Sequence, residues 1–179
     1  MKVIAFGAST SSTSINKTLA TYAANLIEGA EVKVLDINDY NVPMFSEDTE
    51  KEIGQAEGAQ AFLRDLAEAD AFVISFAEHN GHYPAAYKNL FDWATRIERS
   101  VFGEKPAVYL ATSPGPVAAH KRYLAQRQVL HLTSVETCKR QFQYQASTIT
   151  LILNLVLSAM KRSFYRLKTR LLSCKYSFV

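Results

Sequence analysis

Two polar loops of this sequence hold the residues whose types and spacing suit ligand chemistry. The first, Gly7 to Asn16, is rich in small hydroxyl side chains and comes just before an amphipathic segment. Backbone amides at a helix amino terminus, with nearby hydroxyls, bind a phosphate well because the helix dipole adds attraction. The loop has neither the glycine spacing of a dinucleotide fingerprint nor a Gly-Lys-Ser/Thr triphosphate motif. It therefore predicts a monophosphate site.

The second loop, Ala77 to Pro84, lies between an apolar run and another amphipathic segment. Its Asn80-Gly81 pair reaches backbone conformations that are closed to most residues, so amides of the turn can point outward at a ligand. A tight polar turn between a buried strand and a helix suits a flat-ring cofactor. Pro84 is expected at the first turn of the helix that follows.

Each loop also has a purely structural interpretation. Serine-rich loops commonly cap helices, and Tyr87, Phe91 and Trp93 have the helical spacing typical of a core-facing aromatic stripe. His79 and His82 make a poor metal site as a pair, because no carboxylate cluster or cysteine adjoins them, so they are expected to be solvated turn histidines. Two polar loops after neighbouring parallel strands favour ligand binding, because open α/β sheets bind ligands at that edge.

The elements that position these loops alternate along the chain. Apolar runs without alternation predict strands covered on both faces, and periodic apolar positions predict helices between them. Strands are predicted at residues 2–6, 31–35, 71–76 and 107–112, and helices at about 16–27, 60–69 and 84–97. The acidic segment 48–58 is predicted to be a solvated loop. This βαβ alternation predicts an α/β fold with a parallel sheet.

Length and composition indicate a single domain, since 179 residues with 48% hydrophobic content suffice for one core. Lys2 is followed by only a strand-length apolar run, so no signal peptide is expected. The longest apolar run, residues 149–160, is shorter than the about 20 residues of a membrane span. Cys138 and Cys174 are too few for a disulfide framework. We therefore expect a cytoplasmic protein with no membrane partner.

Residues 2–116 also carry a resemblance to a known family. It rests on Gly7 to Asn16, on Asp36 to Phe45 with Val42-Pro43-Met44, and on Glu78-His79-Asn80-Gly81 through Lys88-Asn89 and Asp92-Trp93. These segments resemble the NAD(P)H-dependent FMN reductase family. The resemblance implies a flavodoxin-like, doubly wound parallel sheet of order 2-1-3-4-5. Two positions depart from the family pattern, because the usual first-loop arginine is absent and His79 replaces the usual tyrosine.

The resemblance implies a role for each loop. The first would bind the FMN phosphate and the second would lie along the isoalloxazine ring, with NAD(P)H as co-substrate. The implied cofactor-binding residues are Ser9, Ser11, Ser14, Ile15 and Asn16 in the first loop, Glu78, His79, Asn80 and Gly81 in the second, and Ser113, Pro114 and Gly115 in a third. The amides of Asn80 and Gly81 are assigned to the N5 and O4 edge, where donors stabilise the charge that develops on reduction. No catalytic side chain or metal is required, since the flavin carries the chemistry.

The implied activity is hydride transfer from nicotinamide through FMN to a small acceptor, which could be free flavin, a quinone, an azo compound or a metal oxyanion. The alternative is a flavodoxin-like FMN-binding electron carrier without nicotinamide activity. A dedicated carrier usually has a strongly acidic face, whereas this amino-terminal part is only moderately acidic. The resemblance also implies a homodimer or tetramer, and no nucleic-acid partner is expected.

The composition changes abruptly after Pro116. Residues 117–179 contain no Gly or Pro and one acid, Glu136, against 11 bases, whereas residues 1–116 contain 16 acids and 9 bases. Gly and Pro are the strongest turn-forming residues, so a segment of that length without either is atypical of a folded domain. A basic nucleic-acid-binding tail and a membrane-surface helix are the alternatives that assume a native tail.

An out-of-frame translation after loss of one base near codon 117 accounts better for this anomalous tail. If each codon is read one base earlier and third bases are chosen freely, Val117-Ala118-Ala119 can become Gly-Gly-Gly, and residues 145–152 can become Pro-Ser-Phe-Tyr-Asp-Asn-Phe-Asp. These strings resemble the third flavin loop and the carboxyl-terminal segment of the family. The fifth strand and the last helix are therefore not expected from the sequence as written.

Overall fold

The computed structural model describes residues 1–112, which form a parallel four-stranded sheet with helices on both faces. The strands are β1 (Lys2–Ala8), β2 (Glu31–Asp36), β3 (Ala71–Phe76) and β4 (Ala107–Ala111); the helices are α1 (Ile15–Asn25), α2 (Glu47–Ile53), α3 (Glu57–Ala67) and α4 (Ala85–Ile97), with a 3₁₀ turn at Ile37–Asp39. The strand order is β2-β1-β3-β4 and every neighbouring pair is parallel. The predicted order is confirmed for these four strands, while the fifth strand, the last helix and the tail 117–179 lie outside the described residues.

The core has two layers because strands β1 and β3 are buried on both faces. Val3 and Val73 pack with the alanines of α1 on one side. Phe6 and Ile74 pack with α3 and α4 on the other side. All positions of β3 are buried, as its mainly apolar run without alternation predicts. Tyr87 and Trp93 are buried as well, so the aromatic stripe of α4 belongs to the core.

The prediction of a loop at 48–58 is wrong, because α2 occupies Glu47–Ile53. Ser46 caps this helix by accepting from the Thr49 amide at 3.0 Å, and acidic side chains in its first turn suit the helix dipole. None of its residues is buried, so the segment is solvated as predicted. The helix had no apolar periodicity to reveal it.

The segment between β2 and α2 is attached to α4 by side-chain hydrogen bonds. Asn89 Nδ2 and Trp93 Nε1 both donate to the Pro43 carbonyl at 2.8 Å, and Asn89 Oδ1 accepts from the Phe45 amide at 2.8 Å. A carbonyl oxygen has two lone pairs, so it accepts both donors. These bonds join two of the segments on which the resemblance rests.

Within residues 1–112, no helix has both the length and the apolar character that crossing a membrane requires.

Candidate functional site

The two polar loops leave the same edge of the sheet, as predicted. Ala8 at the end of β1 is in register with Phe76 at the end of β3, and Phe76 is in register with Ala111 at the end of β4. The Ala77 amide donates to the Ala8 carbonyl at 3.4 Å, so the two loops begin side by side. The chain continues from this edge toward Ser113, Pro114 and Gly115, which lie outside the described residues; their role stays a prediction.

The first loop is held by its own hydroxyl groups. Ser14 is the amino-terminal cap of α1, and its Oγ accepts from the Lys17 amide at 3.1 Å. Buried Ser9 accepts from the Ser11 amide, and Ser11 Oγ accepts from the Thr13 amide, both at 3.3 Å. The capping interpretation is therefore confirmed for Ser14.

The donors available to a ligand lie at the first turn of α1, which follows this loop. The first intrahelical bond runs from the Thr18 amide to the Ser14 carbonyl at 3.1 Å, so the amides of Ile15 and Asn16 precede the helical ladder. Ile15 is exposed, and so are Ser11 and Thr13 nearby. Two helix-end amides and exposed hydroxyls form a donor set suited to a phosphate dianion.

The Asn16 side chain is engaged inside the protein. Its Oδ1 accepts from Ser75 Oγ at 2.7 Å and from the Thr112 amide at 3.1 Å, and its Nδ2 donates to the Thr112 carbonyl at 3.1 Å. Asn16 and Ser75 are both buried. The side chain thus ties α1 to the ends of β3 and β4, and only the Asn16 backbone amide remains for a phosphate. Ser75 in an otherwise apolar run was the sequence signal, because a buried hydroxyl needs a partner.

The second loop is a two-residue hairpin turn. His79 and His82 exchange backbone hydrogen bonds of 2.7 and 3.0 Å, and the central residues Asn80 and Gly81 have φ values of 53° and 86°. Positive φ at both central positions is the type I′ turn, for which Asn-Gly is strongly preferred. The conformation predicted for Asn80-Gly81 is confirmed.

The amides of the second loop differ in what they contact. The Gly81 amide donates to Glu78 Oε1 at 2.7 Å, so it points back at a carboxylate of its own loop. The amides of His79 and His82 close the turn. Among the amides of residues 79–82, this leaves that of Asn80, which is exposed, as the candidate donor to a ligand. Glu78 acts here by holding the turn.

Tyr83 lies next to the second loop and was not among the predicted site residues. Its ring packs edge-on against His82 at 6.3 Å and against buried Tyr87 at 6.0 Å. Burial raises the pKa of Tyr83, while Lys88 opposes and Asp92 adds to the shift. The phenol is therefore protonated at neutral pH and available as a donor next to the turn.

Lys17 and Asp36 form an ion pair beside the first loop, with Nζ and Oδ2 2.6 Å apart. Asp36 also accepts from the Asn38 backbone amide and side chain, at 3.0 and 2.8 Å, and Asn38 Nδ2 reaches the Thr10 carbonyl at 3.3 Å. The hydrogen bond from Lys17 lowers the pKa of Asp36, burial opposes the shift, and the Asn38 bonds add to it. Lys17 is therefore a cation next to the first loop, the loop in which the usual arginine of the family is absent.

Replacing Lys17 with methionine is expected to move the pKa of Asp36 upward, toward its ordinary value of 3.8. Because the folded-state pKa is lowered, the pair stabilises the fold fully above the ordinary pKa, and this stability is lost as the pH falls through the lowered value. NMR titration of the Asp36 carboxyl carbon measures the change. An unchanged Asp36 pKa in Lys17→Met would contradict the assigned cause.

The parallel sheet and the two loops at its carboxyl edge define a doubly wound, flavodoxin-like protein with a nucleotide-type site. A sequence profile described as NADPH-dependent FMN reductase matches residues 1–146 of the chain. The chain belongs to the NADPH-dependent FMN reductase family. The match extends past residue 116, where the resemblance in the sequence ended, and it confirms the resemblance on which the FMN and NADPH expectations rest.

Two curated relatives are named as reductases. The chain is 35% identical to a 2-hydroxy-1,4-benzoquinone reductase of a Burkholderia species over 106 residues, which cover 58% of this chain and 56% of the relative. It is 28% identical to an NAD(P)H-dependent FMN reductase of Pseudomonas aeruginosa over 131 residues, which cover 73% of this chain and 69% of the relative. The matches thus span between about half and about two thirds of each relative's length.

A solved structure agrees with the family assignment. The flavoenzyme NAD(P)H:(acceptor) oxidoreductase of Paracoccus denitrificans superposes with a TM-score of 0.70 and 25% sequence identity. The superposition covers 88% of this chain and 93% of the Paracoccus protein.

Proposed function

We propose that this chain is an FMN-dependent NAD(P)H oxidoreductase that passes hydride from nicotinamide through FMN to a small acceptor. The observation that carries the proposal is the family match over residues 1–146, and the shared edge of the two polar loops supports it. The Burkholderia relative is named for a quinone substrate, so we propose a quinone as the first acceptor to test. Free flavin, azo compounds and metal oxyanions are the further candidates.

The residues at the sheet edge fit a flavin mononucleotide. We assign the phosphate to the amides of Ile15 and Asn16 and to the exposed hydroxyls of Ser11 and Thr13, where helix-end donors favour a dianion. Ser9 and Ser14 shape this loop from within through the bonds to Ser11 and Lys17. FMN supplies the hydride-accepting ring atom when it is bound.

The second loop is assigned to the ring. Asn80 presents its amide from a turn that Gly81 and Glu78 already hold in place through their 2.7 Å bond. A donor fixed in advance stabilises developing negative charge without reorganisation at the moment of reaction. His79 and His82 contribute the backbone bonds that close the turn. The protein therefore supplies binding, orientation and polarity.

The test is anaerobic mixing of the purified 179-residue chain, reconstituted with FMN, with NADPH. We expect rapid loss of the oxidised-flavin colour, and renewed oxidation when a benzoquinone is added. Reduction only by a separate partner reductase would identify an electron carrier instead. Failure of FMN to bind at all would refute the proposal for this chain, and sequencing of codons 112–122 would then show whether the third flavin loop is out of frame.

The homodimeric or tetrameric assembly and the cytoplasmic location stay predictions, and so does the absence of nucleic-acid and membrane partners. Size-exclusion chromatography with light scattering measures the assembly directly.

A further inference from the structure

His79 and His82 are directly opposite each other across the hairpin turn. Their backbone bonds of 2.7 and 3.0 Å run in both directions, which defines a hydrogen-bonded antiparallel pair. The side chains of such a pair project from the same face of the hairpin, with Cβ atoms about 4.5–5.5 Å apart. The turn therefore places both histidine side chains on one face of the hairpin, which the sequence spacing alone did not establish.

Both histidines lie at the surface, on a turn that is held by hydrogen bonds and ring contacts. His79 and His82 are exposed. The His82 ring meets Tyr83 edge-on at 6.3 Å, and Tyr83 in turn contacts buried Tyr87. The bond from the Gly81 amide to Glu78 fixes the turn between the two histidines. An incoming ion would thus have little backbone to reorganise.

We propose that His79 and His82 form a two-histidine site for a divalent transition-metal ion. Imidazole nitrogen suits Zn²⁺, Cu²⁺ and Ni²⁺, with metal–nitrogen distances of about 2.0–2.1 Å that both rings reach by rotating their side chains. Within residues 1–112, no group of three or more His, Cys, Asp or Glu side chains is arranged to hold a metal. The site therefore offers two protein ligands, and its remaining positions are open to water.

The test is calorimetric titration with Ni²⁺ of the full-length chain after its thiols are blocked with iodoacetamide. The sequence has four histidines, so the background variant His120→Gln/His131→Gln removes the two outside the turn. This background is expected to bind one Ni²⁺ per chain. Adding His79→Gln or His82→Gln is expected to weaken binding at least about tenfold each, since two linked ligands bind far more tightly than one.

Glutamine keeps the backbone bonds of the turn, and thermal unfolding without metal verifies that each variant folds. As a second readout, Ni²⁺ is expected to raise the unfolding midpoint of the background variant and not that of the His79 or His82 variants, because only the folded turn pairs the two rings. The proposal is overturned if the background variant does not bind Ni²⁺, or if either single change leaves its affinity unaltered. Neither result depends on flavin binding, so the proposed oxidoreductase function is tested separately.

Discussion

Replacing Asn16 with alanine is expected to lower the free energy of unfolding by about 2–4 kcal/mol. The change removes three hydrogen bonds, one with buried Ser75 and two with the backbone of Thr112. The Ser75 hydroxyl then has no partner in a site where water does not reach it, and such a group incurs its full desolvation cost. Urea unfolding followed by circular dichroism measures the loss.

Ser75→Ala is the matched control. It removes the hydroxyl while Asn16 keeps both bonds to Thr112, so the expected loss is only about 1 kcal/mol. The double variant is expected to be less destabilised than the sum of the two single variants, because the orphaned hydroxyl is gone. Equal losses in Asn16→Ala and Ser75→Ala would show that the Thr112 bonds contribute nothing. FMN affinity is expected to fall in Asn16→Ala as well, since Asn16 connects α1, whose first turn carries the proposed phosphate amides, to the ends of β3 and β4.

Replacing Gly7 with alanine is expected to destabilise the fold by about 1–3 kcal/mol and to weaken FMN binding. A methyl group at this position would lie 2.7 Å from the Lys17 Cα and 3.0 Å from the Asn16 carbonyl carbon, and closer still to the Lys17 amide nitrogen. These are backbone atoms of the first turn of α1, so relief requires a shift of the helix itself. That turn carries the amides proposed to bind phosphate.

Comparison of two ligands separates these effects. FMN carries the phosphate and riboflavin does not, so Gly7→Ala is expected to reduce FMN affinity by a larger factor than riboflavin affinity. Gly58→Ala provides the control. Its added methyl would lie 2.9 Å from the Asn41 carbonyl carbon, and this backbone is not part of the phosphate loop. Gly58→Ala is expected to lower the free energy of unfolding about as much as Gly7→Ala does. It is expected to leave the ratio of FMN affinity to riboflavin affinity unchanged. Equal loss of both ligands in Gly7→Ala would place the phosphate elsewhere.

The order of elements followed from local patterns. The mainly apolar run at 71–76 and the polar loops after residues 8 and 76 were enough to predict a parallel sheet with two loops at the carboxyl ends of its strands. The Asn80-Gly81 turn was also predictable from neighbouring residues, because few residues other than Gly and Asn adopt positive φ readily. Helix α2 was not, because an exposed helix stabilised by a cap and surface charge has no apolar face to read.

The fold class, the two loops and the family were predictable from local patterns, because periodicity, turn chemistry and family motifs are properties of neighbouring residues. The hydrogen-bond partner of each polar group at the site became known only from the folded chain. Asn16 meets Ser75 and Thr112, the Pro43 carbonyl meets Asn89 and Trp93, and the Gly81 amide turns to Glu78. Most of these partners are far apart in the chain. Which polar groups remain free for a ligand depends on which ones folding has already satisfied.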